Sequence, residues 1–258
     1  SEFDSLLKDI IFIRKNNHLA SMKKNQWLKI INPNSTTFSM VKNSAIKSHA
    51  HQDEGSFFYV YKKLPIIIDP GLKNYLKDDS ISRSQLNANS HNVITINGCG
   101  LMPPRTSWMS RTEMGSEIIY SLDKQSINLK MKGFNCLGRS VSWHRTISTS
   151  GSLLNVYDKI DSIEGDLIKI IYIFNNSLEY IKNQKGYTIK YEKEKLNFEI
   201  IPIDNNNKQI KNGHYNMFNA YMSKKYGETM KCKTLSYCFN ANGPVKIYSS
   251  LSNQNKAS

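Results

Sequence analysis

The chain has 258 residues, enough to fold around a large core of its own without staples. Thirty-five Lys and Arg against 21 Asp and Glu give a formal net charge of +14, which favours polyanionic partners: acidic polysaccharide, nucleic acid or an anionic membrane surface. No apolar stretch reaches the about 18 residues of a membrane span, and the lysines neither cluster on one element nor interleave with aromatics as in a nucleic-acid module.

Taken in chain order, Ser1-Glu2-Phe3 reads as a cloning scar or the start of a trimmed fragment, which leaves an upstream region open. Apolar alternation with period two then predicts strands at 10–14, 27–31, 56–61, 65–69, 92–97, 117–122 and 127–131. It continues at 141–148, 153–160, 168–174, 187–192, 196–201, 235–239 and 245–249. Helical periodicity over ten residues is nearly absent. The fold class is therefore all-β, an antiparallel β-sandwich of many strands with little helix. Asn97-Gly98 and Asn242-Gly243 mark turns that need positive φ. Residues 73–90 and 98–111 read as long loops, and the first, lying between Asp69 and His91, is assigned to function. No repeat or composition break divides the chain, so 1–258 is read as a single domain. Cys99, Cys136, Cys232 and Cys238 lack CxxC spacing and read as buried or half-buried thiols.

The chemistry-bearing residues gather early in the chain. His49 and His51 are two apart and share a side of an extended segment. Asp69 closes the run Pro65-Ile66-Ile67-Ile68, and His91 opens the next strand. A His–Asp–His set suits a zinc site whose remaining position is filled by water or substrate; spacing alone favours exposed or structural histidines, because nothing local forces the ligands together. Asp53 reads as orienting His51 or capping the following turn, outside the ligand set. Arg83 could clamp a carboxylate or sulfate through two parallel hydrogen bonds, and the Tyr75 phenol could contact a sugar. His144, in Trp143-His144-Arg145, reads as a sheet histidine, and His18 and His214 have no partners in sequence. A phosphate-binding glycine loop, a nucleophile elbow and zinc-finger cysteine spacing are all absent.

The order of these pieces carries a resemblance. Ser48-His49-Ala50-His51-Gln52-Asp53, then Ile68-Asp69-Pro70-Gly71, then Ser90-His91-Asn92-Val93 resembles the C-terminal β-rich domain of the heparinase II/III polysaccharide lyases. Trp143-His144-Arg145 followed by Val156-Tyr157-Asp158 is similar to a strand pair of that family. The resemblance implies that His51, Asp69 and His91 hold one divalent metal, most simply zinc, in a structural role, and that His49 is the active-site histidine. It places Arg83 where such lyases carry a substrate-facing arginine. The implied partners are an acidic, uronate-containing polysaccharide and an N-terminal α-helical toroid of the same parent protein, absent from this chain. The implied reaction is β-elimination, and the implied location periplasmic or secreted. A non-catalytic sandwich that keeps the metal site and binds acidic glycan is the competing expectation. A basic adaptor for protein or nucleic acid is the third.

Overall fold

The computed structural model describes residues 27–40, 51–76, 78–102, 117–123, 125–149, 153–192 and 194–253. The expected strand at 10–14, together with His18 and His49, lies outside them. The chain runs through β1 (Trp27–Ile31), β2 (Ser35–Met40), β3 (Phe57–Tyr61) and β4 (Leu64–Ile67), then α1 (Ser80–Gln85) and a 3-10 turn at Ala88–Ser90, to β5 (Ile94–Ile96). Next come β6 (Glu117–Leu122), β7 (Ser126–Gly133), a second 3-10 turn (Asn135–Leu137), β8 (Val141–Ser148) and β9 (Leu154–Ile160). The last strands are β10 (Glu164–Asn175), β11 (Glu179–Lys182), β12 (Gly186–Tyr191), β13 (Glu194–Ile203), β14 (His214–Lys225), β15 (Glu228–Asn242) and β16 (Val245–Asn253).

These strands form two antiparallel eight-stranded sheets, the expected sandwich. The first has the order β1-β2-β3-β4-β10-β15-β14, with β5 also paired to β10; the second runs β11-β12-β13-β16-β9-β8-β7-β6. Alternation in sequence becomes an inward face in space: β8 buries Val141, Trp143, Arg145 and Ile147 and turns His144 outward. Between the sheets the Phe198 ring of β13 meets Tyr172 and Phe174 of β10 edge-on, at 5.0 and 5.2 Å. Each such fully buried side chain contributes about 1.5–3 kcal/mol through water exclusion.

Three strands carry no alternation signal and were not anticipated. β2 is Ser-Thr-Thr-Phe-Ser-Met, and its buried hydroxyl residues give no apolar period. β14 packs Tyr215 and Met217 on the main core but Ala220 and Met222 on a small cluster with Ile68, Ile171, Ile173 and Cys232, so its apolar phase changes along the strand. β11 is only four residues long. Within the expected loop 73–90 lies a helix, α1. Asp79 caps it by accepting from Ser82 N at 2.9 Å, and one and a half turns are too few to show a period in sequence.

The reading of all four cysteines as thiols is corrected. Cys99 and Cys136 form a disulfide with a Cα separation of 6.2 Å, while Cys232 and Cys238 stay free. Cys99 follows the tight Asn97-Gly98 turn, whose residues take φ of 51° and 80° as the sequence requires; Cys136 sits in the second 3-10 turn. The bond thus ties an extension of the first sheet to a loop of the second across 37 residues. Cys136→Ser is expected to lower unfolding free energy by about 2–4 kcal/mol, measured by urea unfolding without reductant. Equal stability of wild type and variant would contradict the bond.

Candidate metal centre

One end of the first sheet collects the residues singled out in the sequence. His51 and Asp53 lie on the segment entering β3, Asp69 two residues beyond β4, and His91 between the first 3-10 turn and β5. Neighbouring strands do the gathering, helped by backbone hydrogen bonds: Gln52 N donates to Leu86 O at 3.0 Å, and Ser56 N to Asp53 O at 2.9 Å. The turn between them uses Gly55 at φ +79°.

His91 is fully buried, and both ring nitrogens face oxygen. Nε2 lies 2.8 Å from the Gln85 carbonyl, which can only accept, so Nε2 carries a proton. Nδ1 lies 2.8 Å from Asp69 Oδ2, an acceptor when ionised. A positive centre must therefore sit between Nδ1 and the carboxylate, either a second proton or a metal ion. Burial pushes the Asp69 carboxyl up, but the charge and hydrogen bond of His91 outweigh it and hold it below the ordinary value. Burial likewise pulls His91 down, and Asp69, with help from Asp53 and the Gln85 carbonyl, carries it above the usual imidazole value. Asp69 is braced further by Ser56 Oγ at 3.0 Å and Gly71 N at 3.2 Å.

The His51 and His91 rings lie 5.3 Å apart. His51, Asp53 and His91 each present one donor atom within 4.8 Å of the others, a spacing a single cation could span. Asp53, which sequence reasoning left outside the ligand set, is thus brought into the group, with its two-residue spacing from His51 as the available signal; Asp69, expected as a ligand, is not one of these three and joins the cluster through its bond to His91 Nδ1. Two imidazoles and two carboxylates, Asp53 and Asp69, suit zinc chemically, and a divalent ion cancels their two negative charges. The residues present fit the group.

Arg83 and Tyr75 do not share one cleft. Arg83 is exposed on α1 and lines a cleft of about 440 Å³ with Gln52, Asn87, Asn89 and the Cys99–Cys136 bridge. Gln52, between His51 and Asp53, joins that cleft to the cluster. It accepts from Ala88 N at 3.1 Å. Tyr75 lies instead 6.4 Å ring to ring from Tyr226 at the tip of the β14–β15 hairpin, both exposed. That hairpin docks on the preceding loop through Ser223 N to Pro70 O and Gly227 N to Lys73 O, at 2.6 and 2.7 Å.

Asn92 was quoted in the sequence motif but given no role. Its Nδ2 donates to Phe57 O at 2.9 Å and Ile68 O at 2.7 Å, and its Oδ1 accepts from Ile173 N at 2.6 Å. One fully buried amide thus stitches β3, the end of β4 and β10 together beside Asp69 and His91.

Residues 14–248 match the family model of the heparinase II/III-like C-terminal domain. The chain belongs to that family. Solved structures of similar fold include a heparinase III gene product with methylated lysines, at TM-score 0.70 and 10% identity over 100% of this chain and 42% of that one. The heparan sulfate lyase HepC from Pedobacter heparinus aligns at TM-score 0.68 and 11% identity over 93% of this chain and 37% of its own. A further heparinase III gives TM-score 0.66 and 10% identity, covering 88% and 35%. At such identities these structures establish the fold alone. The heparinase II/III-like chain spans well under half the length of each. No curated protein matches it. Among the described residues no helix is long and apolar enough to cross a membrane.

Proposed function

We propose that this chain is the β-rich part of a polysaccharide lyase that cleaves a uronate-containing acidic glycan by β-elimination, around a metal-braced sheet end. The observation that carries the proposal is the convergence of His51, Asp53, Asp69 and His91 beside the Arg83 cleft, in a chain of this family. His51, Asp69 and His91 are the proposed ligands, with Asp53 as the fourth side chain able to reach. When bound, a zinc ion would brace the sheet end, because its ligands come from separate segments.

β-Elimination removes the proton on the carbon next to the uronate carboxylate, forms a C=C bond there, and breaks the bond to the glycosidic oxygen, which takes up a proton. The reaction needs a group that neutralises the carboxylate, a base and an acid. His49, two residues before His51, is assigned to the neutralising or proton-transferring part. The remaining groups are assigned to an N-terminal helical domain of the same parent protein. Arg83 holds a carboxylate or sulfate of the glycan at the cleft, and Tyr75 with Tyr226 offers aromatic faces for sugar farther along. The +14 charge raises the local concentration of such a polymer.

Calorimetric titration with heparan sulfate oligosaccharide, and with uncharged dextran as control, tests the placement. Binding of the acidic glycan alone is expected, weakened about tenfold by Arg83→Ala, the loss of one charge-assisted contact. Equal affinity in both proteins removes Arg83 from the site, and no binding at all contradicts the glycan assignment.

A further inference from the structure

The second sheet also reaches into the metal centre. Arg145 of β8 and Asp158 of β9 are register partners, and both sit on the inward face among Trp143, Ile147, Val156 and Ile160. Both side chains are fully buried. Arg145 Nε donates to Asp158 Oδ1 at 2.8 Å and Nη2 to Oδ2 at 3.1 Å, while Trp143 Nε1 donates to Oδ1 at 2.7 Å. The Trp143 and Phe57 rings lie 4.6 and 5.7 Å from the guanidinium carbon. The orientation of the guanidinium is therefore set from several directions.

Its remaining nitrogen crosses the sandwich. Nη1 donates to the Gly55 carbonyl at 2.9 Å and the Asn92 carbonyl at 2.6 Å. Gly55 lies two residues after Asp53, and Asn92 directly follows His91. Both acceptors are held in place. A Cβ on Gly55 would lie 3.1 Å from Met131 Cε and 3.3 Å from Trp143 Cη2, so this backbone is pressed against the second sheet. Asn92 is fixed through its side chain by Phe57, Ile68 and Ile173.

A buried ion pair contributes little net stability, because an apolar pair of similar volume is often as good or better. It can fix a geometry that an apolar pair cannot. A guanidinium offers a rigid fork to the carboxylate and two further N–H bonds to carbonyls; an ammonium cannot serve both sets at this spacing. Building on the metal reading above, we infer that Arg145 is a positioning residue for the metal centre. It ties the Asp53 segment to the His91 segment at one separation, and Asp158 and Trp143 aim it. Outer partners of this kind fix ligand orientation, and losing them weakens metal binding by about 10–100-fold.

Cobalt(II) is the probe, because its visible spectrum reports ligand number and geometry. Its affinity and spectrum are compared in wild type, Arg145→Lys, and the double variant Arg145→Met with Asp158→Leu. The double variant replaces the pair by apolar side chains and so protects against simple failure to fold; near-ultraviolet circular dichroism identifies the folded variants. The inference predicts affinity lower by about 10–100-fold and an altered cobalt spectrum in the folded variants. A folded variant with wild-type affinity and spectrum overturns the role of Arg145 and leaves the metal reading standing. Wild type that takes up no cobalt overturns the metal reading and this inference with it.

Discussion

His91→Ala is expected to abolish tight metal binding and to destabilise the metal-free fold by about 3–5 kcal/mol, the usual result of breaking a buried charged pair from one side. The ring is fully buried and bonded at both nitrogens, to Asp69 Oδ2 and to the Gln85 carbonyl, each at 2.8 Å. Its removal strands the Asp69 carboxylate, only 9% exposed, with Ser56 and Gly71 as its remaining partners. It also unpairs the Gln85 carbonyl and leaves a cavity. Urea unfolding of wild type and variant in chelator measures this part; repeating it with zinc should widen the gap, because only wild type gains binding energy. His144→Ala is the control. His144 points outward from β8, and its loss should stay within about 0.5 kcal/mol.

Asn92→Ala is expected to cost about 3–9 kcal/mol. A buried backbone group left without its partner costs about 1–3 kcal/mol, and three are left here: Phe57 O, Ile68 O and Ile173 N. Since Ile68 precedes Asp69, and Asn92 follows His91, zinc affinity should fall together with stability. Thermal melting with paired zinc titrations checks both. A variant that keeps its melting temperature would show that water satisfies these groups.

The parts of the site that are local in sequence were legible there. His51, Asp69 and His91 stand at strand ends marked by apolar alternation, and the motif order carried the family resemblance. Asp53 was visible, but its approach to His91 depends on how two distant segments meet. Asn92 stood in the motif as well, yet its bonds run to residues 35, 24 and 81 positions away. The sandwich followed from alternation wherever one face is apolar and the other polar. β2, with buried hydroxyls, and β14, which changes phase, break that rule and were missed. The Cys99–Cys136 bond joins two loops of different sheets, and two isolated cysteines 37 residues apart give no signal of such a pairing. Arg145 and Asp158 stood in the strand pair that carried the resemblance, without a role. The bonds of Arg145 to Gly55 and Asn92 were not legible, because they cross between sheets.

The most direct test of the metal-braced sheet end is elemental analysis of the purified chain, wild type beside His51→Ala, with thermal melting before and after chelation. The account predicts about one equivalent of zinc per wild-type chain, lost in the variant, and a lower melting temperature once zinc is removed. Metal-free wild type whose melting is unchanged by zinc or chelator would contradict it.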